Sequence, residues 1–229
     1  MIASHVVRAS RHDLDALPLW DISPLLDAGS PVFPGDASYR QEWGARIGPG
    51  CPVNVSTLTL SPHTGAHADA PLHYDDAGEA PAALSLRPYL GACRVVHAIG
   101  AHPLVTREHV AHALKPGMPP RLLVRCYTRM PQRQWDAELA GLDATLVDEL
   151  ADLGVLLIGI DTASIDPADS KSLPSHQAIR RRGLRVLENL VLDAVPEGDY
   201  ELIALPLKLG SACASPVRAV LRALATEVD

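Results

Sequence analysis

A chain of 229 residues with 47% hydrophobic and 21% charged side chains can bury one sizeable core and is too apolar to be disordered. Its formal net charge of −7 excludes a sequence-independent nucleic-acid binder, which needs a basic face. No stretch reaches the roughly 18 apolar residues of a membrane span, and MIASHVVRASRHDLDALPLW lacks the apolar core of a secretory signal, so a soluble, cytoplasmic protein is expected.

Residues 1–16 are polar and aperiodic and are expected to be a flexible N-terminal extension, with one domain from 17 to 229. The run VNVSTLTLS (53–61) alternates, with Val53, Val55, Thr57 and Thr59 on one face, and predicts a strand. CRVVHAI (93–99), RLLVRCYT (121–128), GVLLIGID (154–161) and YELIALPL (200–207) are apolar runs bounded by turn residues and read as further strands. Helices are expected between and after them. Residues 106–114 open on a Thr106 cap with Glu108 close behind. Residues 143–154 run from an Asp143 cap to Gly154, and 175–183 from a Ser175 cap to Gly183. Residues 215–225 place Pro216 at a first helical position. Twenty prolines and 16 glycines keep these elements short. Strands alternating with helices give an α/β fold. Cys51, Cys93, Cys126 and Cys213 show no CxxC spacing and are expected as reduced thiols without an assigned role.

HTGAHADAPLH (63–73) sets three histidines and an aspartate in eleven positions. On a straight strand His63 and His67 would lie ~13 Å apart, too far for one ion. On a continuous helix Asp69 and His73 would point well away from His63. A sharply bent segment gathers them: Gly65 permits a tight turn, Pro71 disfavours helix before it, and Ala66, Ala68 and Ala70 let backbone approach. We therefore expect a coil lining a cleft after strand 53–61. Imidazoles with a carboxylate and no nearby thiolate partner suit Zn²⁺, Mn²⁺ or Fe²⁺ with an open position; spacing alone favours this metal site over its alternative, a solvated loop. Farther on, His176 stands at a predicted helix start and Glu188 lies past the Gly183 break. Taken alone they read as a helix-end histidine and a surface carboxylate. The other histidines, His5, His12, His97, His102, His109 and His112, are treated as ordinary.

SPHTGAHADAPLH resembles the H-x-G-T-H-x-D-x-P-x-H signature of the metal-dependent cyclase-type hydrolases, most nearly their bacterial kynurenine formamidase (arylformamidase) branch. LWDISPLL (19–26), PVFPGD (31–36), GIDTASIDPADSKSLPSH (159–176), GLRVLENLVLD (183–193), LPLKL (205–209) and ASPVRAVL (214–221) extend the likeness in order. Ala66 departs from the Thr of the general signature. The resemblance implies a single-domain α/β fold of the swivelling β/β/α type, with a central barrel-like mixed sheet and flanking helices. It implies a homodimer or larger assembly. Two divalent ions, Zn²⁺ or alternatively Mn²⁺, would be held by His63, His67, Asp69, His176 and Glu188, with Asp69 and Glu188 bridging. His73 would be the general acid/base and Trp20 a contact to the substrate's aromatic ring. The implied reaction is hydrolysis of N-formyl-L-kynurenine to L-kynurenine and formate by a metal-bridged hydroxide, in tryptophan degradation. Phe33 and Trp43 are further candidates for an aromatic wall, and Arg46 or Lys208 for a cation facing the substrate carboxylate. Alternatives are a related amidase acting on another cyclic or N-acyl amide, such as isatin, and a metal-binding protein without catalysis. A serine hydrolase is disfavoured because GxSxG is absent.

Overall fold

The computed structural model describes residues 18–224; the extension expected at residues 1–16 lies outside them. Thirteen strands occur in it: β1 (Leu19–Asp21), β2 (Arg40–Ala45), β3 (Val55–Thr59), β4 (His67–Asp69), β5 (Leu90–His97), β6 (Leu104–Val105), β7 (Arg121–Arg125), β8 (Gly141–Leu142), β9 (Leu157–Ile160), β10 (Arg185–Glu188), β11 (Gly198–Ile203), β12 (Ala214–Pro216) and β13 (Val220–Ala223). Three α-helices join them: α1 (Arg107–Val110), α2 (Ala144–Asp152) and α3 (Pro174–Arg182).

Nine strands form one mixed sheet in the order β1-β13-β11-β5-β7-β9-β10-β4-β12. The centre, β5-β7-β9-β10, is parallel. The flanks are antiparallel, with β11 on β5 and β4 on β10. The chain itself dictates the curl. β12 ends at Pro216 and β13 begins at Val220, a link reaching at most ~14 Å. In a flat sheet these two strands would stand seven spacings apart, ~34 Å. The sheet must therefore roll until its edges approach, which gives the expected barrel-like form.

The central runs are apolar throughout because both faces are covered. Leu122 and Val124 of β7, Ile158 and Ile160 of β9 and Val186 of β10 pack under Leu146, Val147 and Leu150 of α2 and Ala178 and Ile179 of α3. Leu123, Leu157 and Leu187 point the other way, into the hollow of the curl, with Tyr89, Leu202 and Leu221. Gly159 marks how tight that hollow is: a Cβ there would meet Leu123 Cδ2 at 2.4 Å.

Two expected helices are corrected. Residues 215–224 form no helix, and Ala225 lies outside the described residues; β12 and β13 stand there instead. Val217, Ala219 and Leu221 are buried while Arg218 and Val220 between them are not, a period of two that outweighs the Pro216 helix-start signal. β3 forms inside the expected 53–61 strand, but it pairs only with β2 and both its faces are exposed. Residues 106–114 give only the single turn of α1 followed by a 3-10 turn, and His109 rather than Glu108 accepts from the Thr106 N–H.

Helices 143–154 and 175–183 form where expected. Asp143 accepts from Thr145 N, and Gly183, at φ +66°, ends α3 in the left-handed conformation. Ser175 is not the cap: Leu173 holds that position.

Candidate metal centre

The segment 63–73 combines turn, strand and turn. His63 lies in a turn. Gly65 then takes φ +68° in a spot where a Cβ would meet Leu26 Cδ2 at 2.4 Å. Residues 67–69 are strand β4, not coil as expected, and Pro71–His73 turn back as a 3-10 helix. On β4, His67 and Asp69 are two apart and share a face. Glu188 of β10 is the direct cross-strand partner of His67, so its side chain leaves the sheet on that face. Ala66, Ala68 and Ala70 point the opposite way, into the hollow; their small size serves the curl rather than the site.

The last member arrives on α3. Asp166, fully buried, accepts from the backbone N–H of Ser175 and of His176, each at 3.0 Å. It also lies 2.7 Å from His176 Nδ1. One carboxylate thus satisfies two free donors of the helix start and fixes the imidazole. Sequence reasoning passed over Asp166, since nothing in DPADS marks a carboxylate that caps a helix eight residues on.

The donor atoms converge. Asp69 Oδ1 lies 3.1 Å from His63 Nδ1 and 3.3 Å from His67 Nε2. Asp69 Oδ2 lies 3.3 Å from His176 Nε2 and 4.0 Å from His73 Nε2. Glu188 likewise faces both ways, with Oε2 3.2 Å from His67 Nε2 and Oε1 3.5 Å from His176 Nε2. Each carboxylate therefore offers one oxygen to the His67 side and one to the His176 side. Asp69, His67, His176 and Glu188 are all buried, whereas His63 is 17% and His73 34% exposed in side chain.

These atoms fit a divalent cation. Spacings of 3.1–3.5 Å match neighbouring ligands on an ion with bonds of roughly 2.0–2.2 Å. His67 Nδ1 is 2.9 Å from Gly65 O, so it carries the proton and turns the Nε2 lone pair inward. That Nε2 and Asp69 Oδ1 are buried without a hydrogen-bond partner, a costly pair of orphans unless a cation sits between them.

The electrostatics agree. Burial works against a charged His67, but Asp69 and Glu188 outweigh it and hold the ring at about 10. His176 is raised well above its ordinary value against the same burial, by Asp166, Asp69 and Glu188. Burial opposes the Asp69 carboxylate too, yet His176, His63 and His67 keep it well below the usual range. The two buried carboxylates thus demand positive charge, which protons or a metal ion can supply.

A cavity of about 710 Å³ opens over these groups and is lined by His63, His73, His176 and Glu188 on one side and by Phe33, Tyr127 and Trp135 on another. Phe33 and Trp135 meet edge to face at 5.1 Å. Trp135 and Tyr127 were not singled out from the sequence; only the fold brings that loop to the site. Trp43 stands exposed on β2 with Arg46 stacked 4.9 Å from its ring. Trp20, on β1, packs edge-on against Tyr200 at 5.2 Å and is not among the cavity residues, nor are Arg46 and Lys208. Among the described residues, no lysine or arginine lines the cavity.

Comparison with known proteins bears on this geometry. The family model described as putative cyclase matches residues 20–167. The kynurenine formamidase of Delftia acidovorans is 70% identical over 207 residues, covering 90% of this chain and 98% of that protein. Among solved structures, one described as a potential metal-dependent hydrolase with cyclase activity superposes with a TM-score of 0.78 at 24% identity, covering 92% of this chain and 100% of the other. Isatin hydrolase A from Labrenzia aggregata, bound to benzyl benzoate, gives 0.76 at 23% identity, covering 91% and 94%; at such identities these two matches speak for the fold alone. With that family model over more than half of its length and a relative 70% identical over 90% of it, the chain belongs to the putative cyclase family.

Proposed function

We propose that the chain hydrolyses N-formyl-L-kynurenine to L-kynurenine and formate, as an arylformamidase of tryptophan degradation. The single observation that carries this reading is the buried His–carboxylate cluster opening onto a cavity with an aromatic wall. The high identity to a kynurenine formamidase supports the same substrate. Residues 17–229 would act as one catalytic unit.

His63, His67, Asp69, His176 and Glu188 would hold two divalent ions, with Asp69 and Glu188 placed where each can serve both. Zn²⁺ suits this imidazole–carboxylate set best, with Mn²⁺ as the alternative. Bound there, such ions acidify water and polarise the formyl carbonyl. Cys126 and Cys93 belong to the two buried apolar clusters, and neither lines the cavity.

His73 does the proton work. Its ring stands over the cluster, 4.3 Å from the His63 ring and 5.7 Å from that of His176, and lines the cavity. Burial lowers its pKa, so the imidazole is neutral near pH 7 and accepts a proton from the attacking water. It then donates at the aniline nitrogen, which would otherwise leave as an anilide anion. Phe33 and Trp135 offer edges to the kynurenine ring.

A homodimer is part of this reading. The β2–β3 hairpin stands off the main sheet with Trp43, Val55 and Leu58 each about half exposed, and Trp20 does not line the 710 Å³ cavity of its own chain, so a substrate contact by Trp20 would call for a second copy. A cytoplasmic location fits four unpaired cysteines; among the described residues, no helix is long and apolar enough to cross a membrane. The test is a substrate panel. N-formyl-L-kynurenine should be turned over far faster than isatin; preference for isatin would move the chain to the lactam reading. Tight metal binding with no turnover of either would favour the non-catalytic one.

A further inference from the structure

Three of the imidazoles that face the carboxylate pair are the proposed ligands, and a metal-binding imidazole needs one bare nitrogen turned inward and one protonated nitrogen turned outward. For His67 the outer partner is Gly65 O, and for His176 it is Asp166. His63 turns Nδ1 toward Asp69, and its outer Nε2 meets the Sγ of Cys213 at 3.3 Å. We propose that Cys213 is a positioning residue for the metal centre: its sulfur accepts the Nε2–H of His63 and holds that ring in the tautomer that presents Nδ1 to the ion.

The placement of Cys213 is built in. Its carbonyl accepts from Ala70 N at 2.9 Å, and the next residue, Ala214, pairs with Asp69 in the β12–β4 ladder. The backbone at Cys213 is thus tied to the strand that carries His67 and Asp69, and the Cα that bears the thiol cannot drift relative to them without breaking that ladder. The other cysteines stand elsewhere. Cys93 and Cys126 are buried in the two apolar clusters, and Cys51 directs its thiol to Val53 O. Cys213 alone of the four lines the cavity. His63 is also the ligand candidate with the most exposed side chain, so packing restrains it least and its one outer hydrogen bond matters most.

This inference rests on the metal reading of the cluster, not on the choice of substrate, and its test needs no turnover. Wild type, Cys213→Ala and Cys213→Ser are stripped of metal, checked for equal thermal midpoints, and titrated with Co²⁺ and Zn²⁺ against a competing chelator. The Ala variant should bind at least about tenfold more weakly, with a changed Co²⁺ absorption spectrum, and the Ser variant, whose hydroxyl also accepts, should regain roughly threefold or more of the loss. An Ala variant with wild-type affinity and spectrum overturns the proposal. So does a Ser variant that binds no tighter than Ala, because the effect is then one of packing. Wild type that binds metal tightly yet leaves N-formyl-L-kynurenine intact would sink the formamidase reading and leave this one standing; wild type that binds no metal overturns both.

Discussion

Replacing Asp166 by alanine tests whether one buried carboxylate holds both a helix start and a metal ligand. The substitution removes the acceptor for Ser175 N, His176 N and His176 Nδ1. All three donors are buried, so no solvent replaces the lost bonds. Hydrogen bonds to a charged group contribute about 1.5–3 kcal/mol each. Taking the low end for all three gives about 4–5 kcal/mol, well above the ~1 kcal/mol of an ordinary exposed cap. At roughly 2–4 °C per kcal/mol for a chain of this size, the melting point should fall by about 10 °C or more. Urea unfolding of metal-stripped protein at pH 7 isolates this cost from any loss of metal. Asp166→Asn keeps one acceptor oxygen and should lose about half as much. Metal affinity should fall ~10–100-fold in the Ala variant. An Ala variant within about 1 kcal/mol of wild type would refute the reasoning.

Other substitutions separate the parts of the site. His73→Ala should retain its metal and lose ~10²–10⁴ in kcat, whereas His67→Ala should lose metal as well; steady-state rates paired with metal analysis distinguish them. Gly65→Ala puts a Cβ 2.4 Å from Leu26 Cδ2 at φ +68°, so calorimetry should show a loss of roughly 1–3 kcal/mol; a neutral result would mean that this turn relaxes freely. Asp161 lines the cavity and accepts from Cys126 N and Tyr127 N, but burial raises its carboxyl to about 7. The folded state then keeps a proton that the unfolded chain releases near pH 4. Stability from this group falls as pH rises from about 4 to 7 and is level above that. Between pH 5 and 7 the unfolding free energy of Asp161→Asn should gain about 2 kcal/mol relative to wild type; parallel pH curves would contradict the assignment.

The candidate ligands on one segment were legible because their chemistry is written locally. His63, His67 and Asp69 stand in one short motif, and the failure of both a straight strand and a helix to gather them required the bend that Gly65 makes. His176 and Glu188 gave no such signal by themselves. Their place depends on the pairing of β10 with β4 and on the seating of α3, which are non-local; family resemblance, not spacing, pointed to them. Asp166, Trp135 and Cys213 escaped for the same reason, each reaching the site through a contact distant in sequence. The buried central strands were plain from continuous apolar runs. The C-terminal strands were hidden by Pro216 and an apolar pattern that fits a helix as well as a strand until the sheet supplies partners. The exposed β2–β3 hairpin shows the converse: alternation was present in β3, but no core covers either face.

The most direct test of the central claim combines two readings on one sample: formate released from N-formyl-L-kynurenine, and divalent metal bound per chain, before chelation, after it, and on stepwise return of Zn²⁺. Two bound ions per chain, with turnover abolished by chelation and restored in step with metal, is the predicted result. Turnover that persists in fully stripped protein would contradict a metal-dependent formamidase built on His63, His67, Asp69, His176 and Glu188.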